Sequence, residues 1–376
     1  MPDGIPNLTP GDSAAQCFAM PNLARKGRGA VSNPPVRFEP ARREAFDDGW
    51  ATLEQSFAEL PPLPTSLTED HAKSALSYNE SPDLGFDRSI NPYRGCEHGC
   101  IYCYARASHA YHDLSPGLDF ESRLFAKPDA ARLLRIEIGK KGHVPTPIAF
   151  GTNTDAYQPI EREWRIMRQC LEVLAEANHP LTITTKSDRV LRDFDLLAPM
   201  AAKRLVAVAI SVTMLDPALH RILEPRTARP EKRLAALRAL AEAGIPAHVN
   251  VAPVIPAIND HEIEAILERA AEAGAQTASW IPLRLPHEVA PLFQDWLICH
   301  FPDRAAKVMA IVRSIREGRN NDPNFFSRMR GSGPWADLIQ TRFRIAARKY
   351  GLNQTKIQLR SDQFVPPRSD GQMALF

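Results

Sequence analysis

The chain has 376 residues, of which 44% are hydrophobic and 24% charged, the composition of an ordinary globular protein. No apolar run approaches the roughly 20 residues that span a bilayer, and no secretory signal opens the chain, so we expect a cytoplasmic protein without membrane contact. The net charge is +2, but residues 301–376 contain 14 Lys and Arg against 6 Asp and Glu. This basic region either attracts a polyanion such as nucleic acid or is a solvated helical surface.

The order of the elements predicts three regions. Residues 1–83 are rich in Pro, Ala and Arg and are expected to form an irregular N-terminal arm with one short helix at 46–57. Residues 84–290 alternate short apolar runs with amphipathic segments. Residues 291–376 are expected to form a basic helical extension, with helices at 289–317 and 335–350.

The middle region predicts an α/β fold with a parallel sheet. One strand precedes Cys96, and wholly apolar or β-branched runs predict five more, which alternate with helical segments. Six units in about 200 residues are typical of a partial (β/α)6 TIM-like barrel rather than a closed barrel of eight units. The five later strands are expected at 148–150, 181–185, 205–212, 247–255 and 277–285, with helices at 163–177, 190–202, 230–243 and 261–273.

Three of the six cysteines fall within eight residues, at Cys96, Cys100 and Cys103. In a reducing cytosol such a group indicates metal binding, and three thiolates on one loop suit an iron–sulfur cluster whose fourth iron stays open. Zinc is the alternative, although a structural zinc site usually has a second ligand pair and none occurs in this chain. The candidate fourth zinc ligands are His98, His109 and His112.

The Cys-x3-Cys-x-aromatic-Cys motif after a first strand, within a series of βα units, resembles the radical S-adenosylmethionine (SAM) superfamily. The segments at 96–104, 150–159 and 184–187 resemble the branch related to spore photoproduct lyase, many members of which are labelled DNA repair photolyases. The resemblance implies a [4Fe-4S] cluster on the three cysteines and SAM on the open iron. It also implies reductive cleavage of SAM to a 5′-deoxyadenosyl radical that abstracts hydrogen from the substrate, with electrons from a reductant such as flavodoxin or ferredoxin.

The resemblance also implies where SAM binds. Tyr102 is expected against the adenine, although it also suits core packing, and Asn153 and Asp155 stand where the family holds the SAM amino group. The family's double glycine and glutamate are absent here, and Asp155 also suits a strand-to-helix cap. The remaining candidates lie on later strands and in one loop. Lys186 or Arg226 is expected beside the SAM carboxylate, and each also suits a surface charge. Ser211 is expected at the ribose and Asn250 near the adenine.

The substrate and any hydrogen-atom donor are left open. Cys17, Cys170 and Cys299 match no donor motif, Tyr157 is a comparable candidate, and Arg284 is expected to face the substrate. Nucleic acid is the first hypothesis, and a peptide or small metabolite is the second. A third is a non-enzymatic iron–sulfur or zinc module that binds nucleic acid. The arginines that would form a nucleic-acid surface with the barrel mouth are Arg313, Arg316, Arg328, Arg330 and Arg344.

Overall fold

A computed structural model describes residues 25–38 and 63–367 of the chain, and the helix expected at 46–57 lies outside them. Within these described residues, ten strands form two sheets. Their bounds are β1 Ser66–Glu69, β2 Leu76–Tyr78, β3 Arg88–Ile90, β4 Tyr93–Arg94, β5 Arg123–Ala126, β6 Ile148–Phe150, β7 Leu181–Thr185, β8 Val206–Ser211, β9 Ala247–Val254 and β10 Thr277–Pro282.

The α-helices alternate with the strands of the larger sheet and then follow one another at the C-terminal end. Their bounds are α1 Leu118–Ser122, α2 Ala130–Ile138, α3 Glu161–Trp164, α4 Ile166–Glu176, α5 Phe194–Ala202, α6 Pro217–Leu223, α7 Pro230–Glu242, α8 Ile263–Glu272, α9 Val289–His300, α10 Pro302–Ser314, α11 Ser327–Arg330 and α12 Pro334–Lys349. Short 3-10 helices span Tyr104–His112, Asp188–Asp193 and Asp260–Glu262. Among the residues described, no helix is long and apolar enough to cross a membrane.

The larger sheet confirms the expected fold class. Its strand order is β10-β9-β8-β7-β6-β3-β2, and β3 and β6 to β10 are mutually parallel. These six strands are the ones that the sequence predicts, and β2 adds an antiparallel edge strand. Since β2 begins at Leu76, the sheet extends into the region expected to be an irregular arm. The three-region division of the chain stays a prediction.

The two faces of the larger sheet differ in chemistry because successive side chains of a strand point to opposite faces. One face is apolar, and Ile183, Val208 and Val249 on it have no exposed surface and pack in the core shared with the helices. The other face has small or polar side chains at the alternating positions, among them Thr184, Ala209 and Asn250, which are only partly buried. The helices therefore cover one face and leave a polar inner face, as in a partial barrel.

Two further features lie outside the predicted pattern. A small three-stranded sheet, in the order β1-β5-β4, joins residues before and after the cysteine loop. The helix expected at 289–317 is two helices, α9 and α10, because Pro302 begins a new helix after Phe301 has left the helical conformation. The short helix α11 lies in the segment that was expected to separate the two C-terminal helices.

Candidate active site

The cysteine loop begins directly after β4 and wraps closely. Cys96 and Cys100 are each 7% exposed and Cys103 is partly buried, and all three are free thiols. Gly95 and Gly99 have φ values of 75° and 67°, which L side chains rarely adopt. Glycine at both positions thus permits the turn that brings three thiols onto one short loop.

The chemistry of these donors fits an iron–sulfur cluster with an open iron. Burial is the largest factor that raises the pKa of Cys100, and its neighbours Cys96 and Cys103 add to the effect while Lys186 opposes it. Three adjacent thiols in a buried loop therefore need a cationic partner to become thiolates, which a bound cluster provides.

The three histidines proposed as zinc ligands have other contacts. His98 Nδ1 lies 3.3 Å from Asp155 Oδ2, and His109 Nε2 lies 2.9 Å from the carbonyl oxygen of Arg123. The His112 ring packs against Phe125 with the ring centroids 4.9 Å apart. Across residues 25–38 and 63–367, no group of three His, Cys, Asp or Glu side chains, the cysteine loop included, is arranged to hold a metal ion, so the cluster is inferred from the spacing and donor chemistry of the cysteines.

Asp155 connects two strand ends to the cysteine loop. Its carboxylate accepts hydrogen bonds from Thr185 Oγ1 at 2.7 Å and from the Lys186 amide at 2.8 Å, and it faces buried His98. Burial alone would lower the pKa of His98, but Asp155 and Cys96 outweigh it and raise that pKa to about 10. Both carboxylate oxygens of Asp155 are therefore in use within the protein, and its role as a direct SAM ligand stays a prediction.

Lys186 and Tyr102 meet around a buried glutamate that the sequence analysis did not single out. Glu224 has no exposed surface and accepts hydrogen bonds from the Tyr102 hydroxyl and from the Arg233 guanidinium. Burial would raise the pKa of Glu224, but Arg233 and Lys186 outweigh it and lower that pKa to about 2. Lys186 Nζ lies 5.7 Å from the centroid of the Tyr102 ring. The ionised carboxylate of Glu224 thus fixes the Tyr102 hydroxyl, and Lys186 is the cation beside the Tyr102 ring.

The other predicted SAM contacts are more dispersed. Ser211 and Asn250 pair across β8 and β9, so two of the expected residues are adjacent, Ser211 at the C-terminal end of β8 and Asn250 in the middle of β9. The backbone amide of Asn153 donates to Asn91 Oδ1 at 2.9 Å. Arg226 Nη2 lies 3.0 Å from Oε1 of Glu97, within the cysteine loop. The structure therefore groups Tyr102 with Lys186 and Ser211 with Asn250, and it connects Arg226 to the loop itself.

Residues 25–38 pack against the cysteine loop, which composition gave no reason to expect. The Glu121 carboxylate, fully buried, accepts hydrogen bonds from the Gly29 amide at 2.9 Å, the Ala30 amide at 2.8 Å and the Arg106 guanidinium. Arg106 also donates to the carbonyl oxygens of Gly99 at 3.1 Å and Cys100 at 2.9 Å. One buried ion pair therefore links the N-terminal segment to the backbone of the cysteine loop.

The candidate hydrogen donors are not at the loop, as far as the structure describes them. Cys170 is fully buried in the core and Cys299 is exposed on α9, while Cys17 lies outside the described residues. Tyr157 is fully buried and its hydroxyl donates to Asp193 Oδ2 at 3.0 Å. Arg284 does reach the loop, because its guanidinium lies 5.8 Å from the centroid of the ring of Tyr104, the residue after Cys103.

The C-terminal arginines do not form one uniform surface. Arg316 is 1% exposed and donates to backbone carbonyls, which gives it a structural role. Arg328 is largely buried and forms an ion pair with Asp83. Arg313, Arg330 and Arg344 are exposed. A single surface of all five arginines would have favoured nucleic acid, and Arg316 is not part of such a surface because it is packed under α11.

Comparison with known proteins gives consistent matches. The sequence pattern of the Radical SAM superfamily matches residues 90–270. An uncharacterized protein of Mycobacterium tuberculosis is 37% identical over 246 residues, which cover 64% of this chain and 72% of that protein. An uncharacterized protein of Methanocaldococcus jannaschii is 32% identical over 191 residues, which cover 51% of this chain and 68% of that protein.

Solved structures of spore photoproduct lyase share the fold. The lyase complexed with dinucleoside spore photoproduct aligns with a TM-score of 0.55 at 15% identity, over 76% of this chain and 80% of the lyase. A mutant lyase with bound AdoMet and the same dinucleoside aligns with a TM-score of 0.55 at 14% identity, over 78% of this chain and 86% of the mutant. At this identity the likeness shows the fold alone.

Proposed function

The chain belongs to the radical SAM superfamily, and on this premise we propose that it is a [4Fe-4S]-dependent enzyme that cleaves SAM and abstracts hydrogen from a nucleic acid. The observation that carries the proposal is the loop of three free thiols at Cys96, Cys100 and Cys103, beside a sheet of six parallel strands. Active sites of such folds lie at the C-terminal ends of the strands. We expect the enzyme to act in the cytoplasm with a reductant such as flavodoxin or ferredoxin.

The three thiols are the residues that would hold the cluster. When bound, the cluster supplies one electron for the cleavage of SAM at an iron that no cysteine occupies. Lys186 is the cation best placed for the SAM carboxylate, because it is held between Tyr102 and Glu224. Ser211 and Asn250, on the partly open inner face and its rim, are the candidates for the ribose and adenine.

The remaining residues around the loop position these groups. Glu224 fixes the Tyr102 hydroxyl, and Asp155 holds the Lys186 backbone and the His98 ring. Arg106, paired with Glu121, donates to the carbonyl oxygens of the loop. A site whose side chains are fixed before the ligand binds loses little entropy on binding, which is the arrangement expected for a cofactor site.

Nucleic acid is the proposed substrate class for two reasons. The solved relatives with the same fold include a lyase bound to a dinucleoside photoproduct. In this chain, Arg284 lies beside Tyr104, directly after the third cysteine. A peptide or small metabolite is the second candidate. Peptide-modifying relatives with extra clusters have a second cysteine-rich segment after the barrel, whereas residues 291–376 contain one cysteine, Cys299. A non-enzymatic module would bind nucleic acid without SAM turnover.

The test combines SAM turnover with candidate substrates. Protein reconstituted with iron and sulfide under anaerobic conditions is incubated with SAM, a reductant and either oligonucleotides or peptides. We expect 5′-deoxyadenosine to form and oligonucleotides, but not peptides, to increase its rate. Formation of 5′-deoxyadenosine that only peptides accelerate would exclude the nucleic-acid proposal while retaining the SAM chemistry. Oligonucleotide binding without any 5′-deoxyadenosine would support the non-enzymatic module.

A further inference from the structure

We infer that Phe325 and Phe326, together with the arginines around them, form a platform on which unpaired bases of a nucleic acid stack. The two residues precede α11 and are 50% and 56% exposed. Consecutive phenylalanines with half their surface in water are poorly explained by folding, because burial would stabilise them. The inference rests on the proposed function, since it names how that substrate class is held.

The platform is fixed in place by polar contacts of its backbone and of Arg328. Phe326 has a φ of 63°, a conformation that favours glycine, so its backbone is strained. The backbone amide of Phe326 donates to Asp83 Oδ2 at 3.0 Å, and Arg328 Nε donates to the same oxygen at 2.7 Å. Asp322 accepts a hydrogen bond from the Asn324 amide at 2.9 Å. These contacts stabilise a turn in which both rings are exposed to solvent.

One phenylalanine ring already has a cation on one side. The Arg328 guanidinium lies 4.8 Å from the centroid of the Phe325 ring. This cation–π contact orients the ring and leaves the rest of its surface open. Arg328 is itself paired with Asp83, so its role here is to orient the ring, and a nucleobase would stack on the open side.

The platform lies next to the proposed active site. Arg316 is buried beneath α11 and donates to the carbonyl oxygens of Arg328 at 2.8 Å and Leu283 at 3.1 Å, which joins α11 to the end of β10. The next residue, Arg284, places its guanidinium over the ring of Tyr104, which is 49% exposed. Three partly exposed aromatic rings and Arg284 therefore follow one another from α11 to the cysteine loop.

The charge of this segment suits a polyanion. Residues 313–330 contain five arginines and two acidic residues, a net charge of +3, and Arg319 and Arg330 are exposed. Aromatic side chains interleaved with arginines are the arrangement by which proteins bind single strands, stacking bases and attracting the phosphates. A peptide partner would need no phosphate-binding charge, so the combination favours nucleic acid.

The experiment measures binding of two fluorescent single-stranded 12-mers by anisotropy, one with bases and one in which the central nucleotides are abasic. We expect the natural protein to bind the base-containing strand more tightly. The double variant Phe325→Ala with Phe326→Ala should lose about 10- to 100-fold in affinity for that strand, because a stacked base contributes roughly 1–3 kcal/mol. Its affinity for the abasic strand should change less than twofold.

Two controls separate stacking from loss of folding. Leu338→Ala with Ile345→Ala removes two side chains that are 55% and 60% exposed on α12, and its DNA affinity should not change. The double variant Phe325→Tyr with Phe326→Tyr keeps the stacking surfaces and should bind the base-containing strand like the natural protein. Equal affinities of the natural protein and the alanine variant for the base-containing strand would overturn the inference. A protein that cleaves SAM but binds no DNA would also overturn the inference. A protein that binds DNA in a base-dependent manner but does not cleave SAM would refute the proposed chemistry alone.

Discussion

The buried ion pair of Arg106 and Glu121 gives a prediction about the cysteine loop. The substitution Glu121→Gln keeps the size of the side chain but removes its charge, and the cluster-free protein should become much less stable. Both side chains have no exposed surface, and Arg106 would remain tied to the carbonyl oxygens of Gly99 and Cys100. Removing one partner of a buried pair leaves an uncompensated charge, which costs about 3–5 kcal/mol.

The structure also indicates which hydrogen bonds the substitution Glu121→Gln would break. The Glu121 carboxylate accepts the backbone amides of Gly29 and Ala30, and a glutamine amide cannot accept at both of its ends. One of these amides would lose its partner, which adds about 1–3 kcal/mol when the group stays buried. The N-terminal segment should therefore be held less tightly against the cysteine loop, because it loses one of its two hydrogen bonds to this carboxylate.

The assay is urea unfolding of the cluster-free protein, with the alkylation rate of the loop thiols as a second measurement. Glu121→Gln should lower the free energy of unfolding by about 4–8 kcal/mol, the sum of the two costs, and should increase the alkylation rate of the loop thiols. The matched control is Glu163→Gln at an exposed position, which should change the free energy by less than about 0.5 kcal/mol. If Glu121→Gln behaves like Glu163→Gln, the ion pair does not hold the loop and the reasoning is refuted.

Three further predictions concern the cluster, the SAM site and acid stability. Cys100→Ala should abolish iron binding after reconstitution, whereas Cys299→Ala at an exposed position should bind iron like the natural protein, as colorimetric iron analysis will show. Glu224→Gln should weaken SAM binding about tenfold, as calorimetry will measure. The substitution frees Tyr102 and leaves Lys186 and Arg233 without their carboxylate. An unchanged SAM affinity would rule out this positioning role of Glu224. Burial lowers the pKa of the histidine at strand β9, His248, to about 4, so below pH 6.5 the unfolded chain binds the extra proton. The free energy of unfolding should therefore decrease between pH 6.5 and 4 by about 1.4 kcal/mol per pH unit for this residue, and His248→Asn should show a correspondingly smaller slope in urea titrations.

Much of the fold follows from local sequence. The strands β7 and β8 are buried, apolar or β-branched runs, and such runs identify strands of a sheet covered by helices. The cysteine spacing likewise predicts the site, because the three ligands stand within eight residues and need no long-range information. What these patterns share is that their physical cause lies within one short segment.

The parts that sequence reasoning missed depend on contacts between distant segments. Glu121 meets Gly29 across 92 residues, and no local pattern distinguishes it from an ordinary acidic residue in a short helix. Glu224 stands beside Arg226 in one short motif, but only the fold shows that the glutamate, and not the arginine, contacts Tyr102. Strands β1 and β4 were missed because they are four and two residues long, too short to show a period.

Electron paramagnetic resonance of the reduced, reconstituted protein tests the central claim most directly, namely that Cys96, Cys100 and Cys103 hold a four-iron cluster with one open iron. The account predicts about four irons per chain and a cluster signal that changes when SAM is added, because SAM binds that iron. Iron that stays bound with a signal unaffected by SAM, or a colourless protein that holds zinc instead, would contradict it.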